Sequence, residues 1–494
     1  MRLHLLYIYM LFSPIAAVAA DTDSALVEHT RLARQISADA ERNPAIHGTA
    51  YSASFSQLAL GIDYQHQSEA FVQQLGCGYT LPYASVDTYL RLSQSAAVWG
   101  AASYMTGIQK DVKWNSTSDY ELLQPYVLAD TLGGDTHRER YAFAGGYATR
   151  LDKWLLGAEM LFRAEQEYRD LDPRMRGIVT DLTLRLGAVR QMGRYTVGAA
   201  FEGNVYRQTN SVTFYSEEGV IPEYQMTGLG TEYSRFSGDK RSLYYDGGGV
   251  ALMLSAAPTD NRGLYADLTL SKHQYHRKLA EYNSMPLTDL YNDHAALTIG
   301  CRTPVIAVFA SADYTKRTGD EWIGGTSDAR YFPTIGRLTM YKNQLIDASL
   351  GALYSKNNLS LMLRSGYNSS NEKYVYPERK MDYSLIYGEF KAQFIHKTSD
   401  KLTLSYAAAA LYQANLTHSI YMPFANMTSS FVQMINHSYD YAKASYTHVD
   451  ASVRADYLWS DSRYGAFAKL GGGVVLCSIG EQQTTLHASL GITF

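Results

Sequence analysis

The last eleven residues, Thr484 to Phe494, alternate without an error. Leu486, Ala488, Leu490, Ile492 and Phe494 fall on one face of an extended strand, and Thr485, His487, Ser489, Gly491 and Thr493 on the other. Such period-2 alternation specifies a strand with one apolar and one polar face. An edge strand of a soluble β domain would alternate too, but it need not end a chain on an aromatic. A strand that closes an outer-membrane barrel does both, apolar outward to lipid and polar inward to the lumen.

The pattern recurs along the chain from about residue 50. Trp154, Leu156, Ala158, Met160, Phe162 and Ala164 oppose Glu159 and Arg163, and Leu182, Leu184, Leu186 and Ala188 oppose Asp181, Thr183 and Arg185. Ile386, Gly388, Phe390, Ala392 and Phe394 oppose Tyr387, Glu389, Lys391 and Gln393. Val449, Ala451, Val453, Ala455, Tyr457 and Trp459 oppose Asp450, Ser452, Arg454 and Asp456. Short connections made of turn formers, among them Leu151-Asp152-Lys153, Met192-Gly193, Lys356-Asn357-Asn358 and Ser460-Asp461-Ser462-Arg463, separate these runs. They alternate with long Tyr- and Gly-rich connections near 65–83, 114–138, 169–176, 215–241, 279–289, 316–337, 368–380 and 417–443, and a brief one near 480–483. Short periplasmic turns alternating with long extracellular loops mark a membrane barrel. The expected fold is therefore all-β, a transmembrane antiparallel β-barrel of roughly eighteen strands (roughly fourteen to eighteen in range) with both termini periplasmic.

Composition agrees. A mean hydropathy of -0.24 excludes a bundle of membrane helices but suits a barrel, which gives only alternate residues to lipid. Tyr at 41 far exceeds Phe at 16, as fits surfaces apolar along the ring and wet at the hydroxyl. A net charge of -4 offers no field that would gather nucleic acid. At the start, Arg2, the apolar run Leu3 to Phe12 and Ala17-Val18-Ala19 read as a signal peptide over 1–20. Residues 21–50 follow as an N-terminal segment, either a periplasmic tail or a plug, with Asn43-Pro44 as a helix stop, and 51–494 form the barrel. Asp23-Ser24-Ala25 and Asp130-Thr131-Leu132 fit a short O-glycosylation pattern. Cys77 and Cys477 lie near outer loops where the barrel closes, so a disulfide between them is one reading and two free thiols the other. Cys301 lies beside a periplasmic turn and is expected free.

A charge facing lipid at mid-bilayer costs about 2–4 kcal/mol. Glu159, Arg163, Asp181, Arg185, Glu389, Lys391, Asp450, Arg454 and Asp456 are therefore expected to face the lumen, either as salt bridges bracing the wall or as a charged permeation path. Trp99, Trp154 and Trp459 beside short turns, and Trp114 where a long loop begins, are expected to form aromatic girdles. The first long loop carries Leu122, Leu123, Tyr126, Val127 and Leu128, apolar enough to pack as a constriction, with Gly133-Gly134 allowing a tight return. No catalytic, cofactor or metal motif stands out. Gly247 to Gly249 and Gly471 to Gly473 lack the Lys-Ser/Thr of a phosphate loop, and His273 and His276, read as solvated loop residues, lack a third ligand.

Three stretches carry a resemblance: Val98-Trp99-Gly100-Ala101-Ala102-Ser103-Tyr104, Lys113 to Tyr120, and Pro125 to Asp135. Together with Asn43-Pro44-Ala45 and Thr227 to Phe236, the chain resembles an uncharacterised family of Bacteroidota outer-membrane β-barrels. The resemblance implies fold and location, with no substrate or catalytic residue to transfer. The expected function is thus a non-enzymatic channel moving a small solute across a Gram-negative outer membrane, without cofactor, in contact with membrane lipid and lipopolysaccharide. The alternative is a barrel that anchors a larger assembly with an outer-membrane protein or lipoprotein partner.

Overall fold

A computed structural model describes residues 25–494 except 216–222, 235–241, 281–283, 327–331, 424 and 460–463. Residues 1–20, read above as a signal peptide, most of the first glycosylation pattern and the turn Ser460 to Arg463 lie outside the described residues.

Eighteen strands form one closed antiparallel sheet. They are β1 (Phe55–Gln67), β2 (Gly78–Arg91), β3 (Ala96–Val112), β4 (Gly134–Leu151), β5 (Trp154–Tyr168) and β6 (Arg174–Met192). Next come β7 (Tyr195–Thr213), β8 (Ser242–Pro258), β9 (Gly263–Leu279), β10 (Met285–Arg302), β11 (Ile306–Gly324) and β12 (Thr334–Lys356). The last six are β13 (Leu359–Tyr374), β14 (Arg379–Lys397), β15 (Leu402–Tyr421), β16 (Tyr446–Leu458), β17 (Gly465–Cys477) and β18 (Gln482–Thr493). Each strand pairs with its sequence neighbours, and β18 closes the wall on β1, with Leu490 opposite Leu60. The chain end completes the seam: the Phe494 and Ser56 amides each donate to the other's carbonyl at 2.9 Å. Closure leaves no edge to aggregate and pairs the backbone groups of every strand.

Side-chain alternation follows the pleat. Leu486, Leu490 and Phe494 are exposed outside, while Gln483, Ser489 and Thr493 are buried inside. Leu184, Leu186, Phe201, Val205, Leu350 and Leu363 continue the outward apolar surface around the wall. No helix among the described residues is long and apolar enough to cross a membrane.

The short turns at Asp152, Gly193, Asn261 and Asn357 lie at one end. These residues adopt positive φ there, where Asp, Asn and Gly are the tolerated residues. At the other end the strands reach further than the sequence suggested. β1 runs to Gln67, β10 starts at Met285, β11 runs to Gly324 and β13 to Tyr374, which shortens four of the expected loops. The reason is length: β12 has 23 residues, whereas a bilayer needs only about 9–11 per strand, so polar, Tyr-rich wall continues beyond the apolar belt. The loop 422–445 also contains a helix, Ser430–Lys443.

The three cysteines are free. Cys77 precedes β2 and Cys477 ends β17, with β18 and β1 between those strands. Three interstrand spacings, roughly 14 Å, exceed the reach of a disulfide, which corrects the Cys77–Cys477 reading.

Candidate functional site

Two pieces of chain enter the barrel, one from each end. The N-terminal segment enters from the short-turn end. Asn43 caps a helical turn (Pro44–His47) by accepting from the Ala45 amide at 3.0 Å, with Pro44 pre-set for the first helical position. This turn seats against β5 and β6 where two inward positions are glycine. A Cβ on Gly157 would lie 2.4 Å from the Ala45 nitrogen, and one on Gly187 would lie 2.0 Å from the Asn43 side-chain oxygen. Any larger residue would occupy the notch, and Ala45 is fully buried in it.

From there the segment crosses the lumen. Gln393 on β14 donates to the Thr30 carbonyl at 2.8 Å and accepts from the Leu32 amide at 2.7 Å. Arg34 holds the segment's own fold, donating to Glu41 at 2.6 Å and to the Ala50 carbonyl at 2.7 Å while lying over the Tyr51 ring. His29 stacks on Tyr51 at 3.6 Å and His47 packs edge-on against Trp99 at 4.8 Å. Burial depresses both histidine pKa values and raises that of Glu41.

The first long connection enters from the opposite end. Its Ser116 amide donates to the Leu128 carbonyl at 2.8 Å, and the Leu128 amide donates to the Thr117 hydroxyl at 2.8 Å, so it folds on itself. Asp119 then reaches the wall, accepting from Arg163 at 2.7 and 2.6 Å and from the Tyr206 hydroxyl at 2.9 Å. Burial works against the Asp119 charge, but these donors more than offset it and hold its pKa below the ordinary value. Across the lumen, Arg317 on β11 donates to the Leu122 carbonyl at 2.6 Å. Arg277 on β9 is 1% exposed and donates to the Met226 and Val127 carbonyls at 2.9 and 3.0 Å and to the Gln225 side chain.

Leu128–Ala129 pairs with Tyr224–Gln225 of the connection between β7 and β8. Beside this ladder lies a sealed ion pair, Arg169 to Asp130 at 2.8 Å, with side chains 1% and 0% exposed. Glu223 is buried next to it. Burial, then the neighbouring Asp130 charge, pushes its pKa up to about 8. The helix Ser430–Lys443 completes the closure, with Phe431 against Trp114 and Tyr224 at 5.3 and 4.9 Å.

Between the two inserts lies a cavity of about 1150 Å³. Asp39 and Arg42 line one end, Asp119 and Glu121 the other, and Arg140, His294, Asp313, Arg364 and Glu389 the walls. A second cavity of about 810 Å³ opens beside the N-terminal segment, between Arg31, Arg34, Tyr265 and Arg302.

The structure places all nine charges inward and pairs them. Arg185 meets Glu159 at 2.9 Å, Arg163 meets Asp181 at 3.2 Å, Lys391 meets Glu389 at 3.1 Å, Arg454 meets Asp456 at 2.8 Å, and His448 meets Asp450 at 2.9 Å. Leu123, Tyr126, Val127 and Leu128 are buried in one cluster with Leu122 packed against it.

The girdle splits. Trp154 and Trp459 are exposed outside, 44% and 47%. Trp99 instead faces inward and donates to Glu159 at 2.8 Å. The signal was its parity on β3, where Val98 and Tyr104 hold the outward face. Trp114 lies beyond the end of its strand and packs into the closure. His273 and His276 also belong to a strand, β9, rather than to a loop; His276 faces outward and pairs with Asp289 at 2.6 Å. Sequence reasoning missed Arg277 for the same reason, although Tyr275, Arg277 and Leu279 share one parity.

Residues 44–494 match the family of unknown function DUF6850. The chain belongs to that family. The DUF6850 match begins at Pro44, in the notch of Gly157 and Gly187. None of the curated proteins matches the sequence. Among solved structures, the ferric preacinetobactin receptor BauA of Acinetobacter baumannii is similar at 9% identity and a TM-score of 0.44, over 89% of this chain and 80% of that one. The unliganded ferric citrate transporter FecA is similar at 11% identity and 0.42, over 89% and 78%. The copper transporter OprC is similar at 8% identity and 0.41, over 90% and 83%.

Proposed function

We propose that this DUF6850 protein is an outer-membrane transport barrel for a small polar solute, held closed at rest by two pieces of its own chain. The observation that carries the reading is the cavity of about 1150 Å³ between the first long connection and the N-terminal segment. Its volume suits a small solute, its walls carry charges of both signs, and the outer surface of the wall is apolar. With residues 1–20 removed as a signal peptide, the N-terminal segment faces the periplasm and the long connections face outside. On this reading the two inserts move in turn, and the cavity between them is the chamber that the solute occupies on the way. Proteoliposome swelling tests this. The intact protein should admit small sugars and amino acids slowly or not at all, and removing both inserts should admit them freely. Rapid swelling by the intact protein would reject the closed state.

A second reading is favoured by the stiffness of the outer closure. Arg277, the Arg169–Asp130 pair and the cluster around Leu128 form an interior of the kind that does not move easily. Such a barrel would anchor a larger assembly instead. Purification from native membranes separates the readings, since a stoichiometric protein or lipoprotein partner would favour the anchor.

A further inference from the structure

Four lysines stand on the outward face of four consecutive strands at the long-connection end: Lys316 on β11, Lys342 on β12, Lys373 on β13 and Lys380 on β14. Three are directly opposite one another, Lys342 with Lys373 and Lys373 with Lys380. Lys316 lies two residues lower, because Thr318 opposes Lys342 while Lys316 opposes Gln344. Their sequence neighbours Arg317, Tyr341, Tyr374 and Met381 are buried on the lumen side, which puts the lysines outside. Lys316 and Lys342 are exposed, and the side chains of Lys373 and Lys380 are 39% and 41% exposed.

Like charges directly opposite on one face of a sheet repel. The carboxylates nearby relieve this only in part. Glu378 is shared, at 3.3 Å from Lys373 and 2.9 Å from Lys380. Asp382 shares the outward parity of Lys380, one step lower. Asp293 opposes Lys316 in register but pairs with Lys272 at 3.5 Å. With Lys272 counted, five lysines face three carboxylates, and among the described residues no ion pair includes Lys316 or Lys342. Below the row, past Gln344, Asn371 and Asp382 and then Ser369 and Ser384 on the same face, the apolar belt takes over, with Tyr314, Ile346, Tyr367 and Ile386 exposed.

We infer that this row binds the phosphate groups of an outer-leaflet glycolipid, a phosphorylated saccharide headgroup of the lipid A type. A phosphate seated between Lys342 and Lys373 would neutralise charges that the wall brings together and leaves under-compensated. Acyl chains from the same molecule would lie on Ile346, Tyr367 and Ile386. A soluble anion would gain nothing from that belt, which is why the lipid is the occupant. The inference rests on the membrane-embedded reading and adds to it a defined lipid site.

The test is native mass spectrometry of the full-length barrel in detergent with added bisphosphorylated lipid A. The intact protein should retain one lipid, and Lys342→Gln/Lys373→Gln should lower its apparent affinity at least tenfold. Monophosphorylated lipid A should fall between. A milder variant, Lys316→Gln, should lower retention less. Equal retention by intact protein and both variants would overturn the site. So would displacement of the lipid by millimolar inorganic phosphate, which would show a general anion site. Heat-modifiable migration of each variant separates these outcomes from misfolding. Recovery of the intact protein in a soluble fraction would instead overturn the membrane reading beneath.

Discussion

At position 277 a guanidinium fills space in the closure that an aliphatic side chain could fill only by orphaning its acceptors. Two carbonyls and one amide oxygen depend on it. Leaving buried acceptors unpaired costs about 1–3 kcal/mol each. Arg277→Met should therefore loosen the ladder between the two long connections while the wall stays intact. Limited chymotrypsin digestion would check it, with new cuts within 113–133 or 214–234, where Trp114, Leu122, Leu123 and Tyr224 offer sites, in a barrel that still migrates as folded.

Glu223 gives a pH dependence of stated sign. Its folded pKa of about 8 lies above the ordinary 4.5. Between those values the closed form holds more protons than the opened one, so closure weakens as pH rises through that window and is insensitive above it. The protection of amides around Tyr224 against hydrogen exchange, taken relative to the intrinsic base-catalysed rate at each pH, should fall from pH 5 to pH 8, and Glu223→Gln should remove the Glu223 contribution to that trend. Retention of the whole slope in the variant would assign it elsewhere. Residues of this kind were hidden in the sequence. Nothing in Glu223 or Arg277 marks a buried partner when the chain that covers Arg277 arrives from 51 to 150 residues away. Trp99 was different, since its parity was readable and only its closeness to a turn misled.

At the level of elements, the inserts depend on glycines in the wall rather than on their own propensity. Turns as short as Pro44–His47 are marginal alone and gain their stability from seating. Gly187→Leu should fill the notch and expel the segment, exposing it to protease from the short-turn side, while β5 and β6 remain paired. If the segment stays protected, its position is fixed elsewhere, with Gln393 next to examine. The sequence made the first connection's apolar content plain, and Leu122 to Leu128 lie where that content suggests, out of water. It did not disclose what they pack against. The helix Ser430–Lys443 was missed inside a loop, although Val432, Ile435 and Tyr439 recur at helical spacing.

For the whole molecule, strand number and closure were legible because alternation and turn chemistry repeat around the wall, each repeat confirming the last. The reach of the strands was not, since above the lipid belt nothing forces an apolar face and the pattern fades while backbone pairing continues. The closed wall should give heat-modifiable migration and a β-rich circular dichroism spectrum in detergent, and a helical spectrum would contradict it. Occlusion from both ends is the central claim, and single-channel recording in planar bilayers reaches it most directly. The intact protein should be silent. Deleting 25–50, or replacing 116–132 by a short Gly-Ser linker, should give brief or small openings, and both changes together should give large, steady conductance. A steadily conducting intact protein, or a folded double variant that stays silent, would contradict the account.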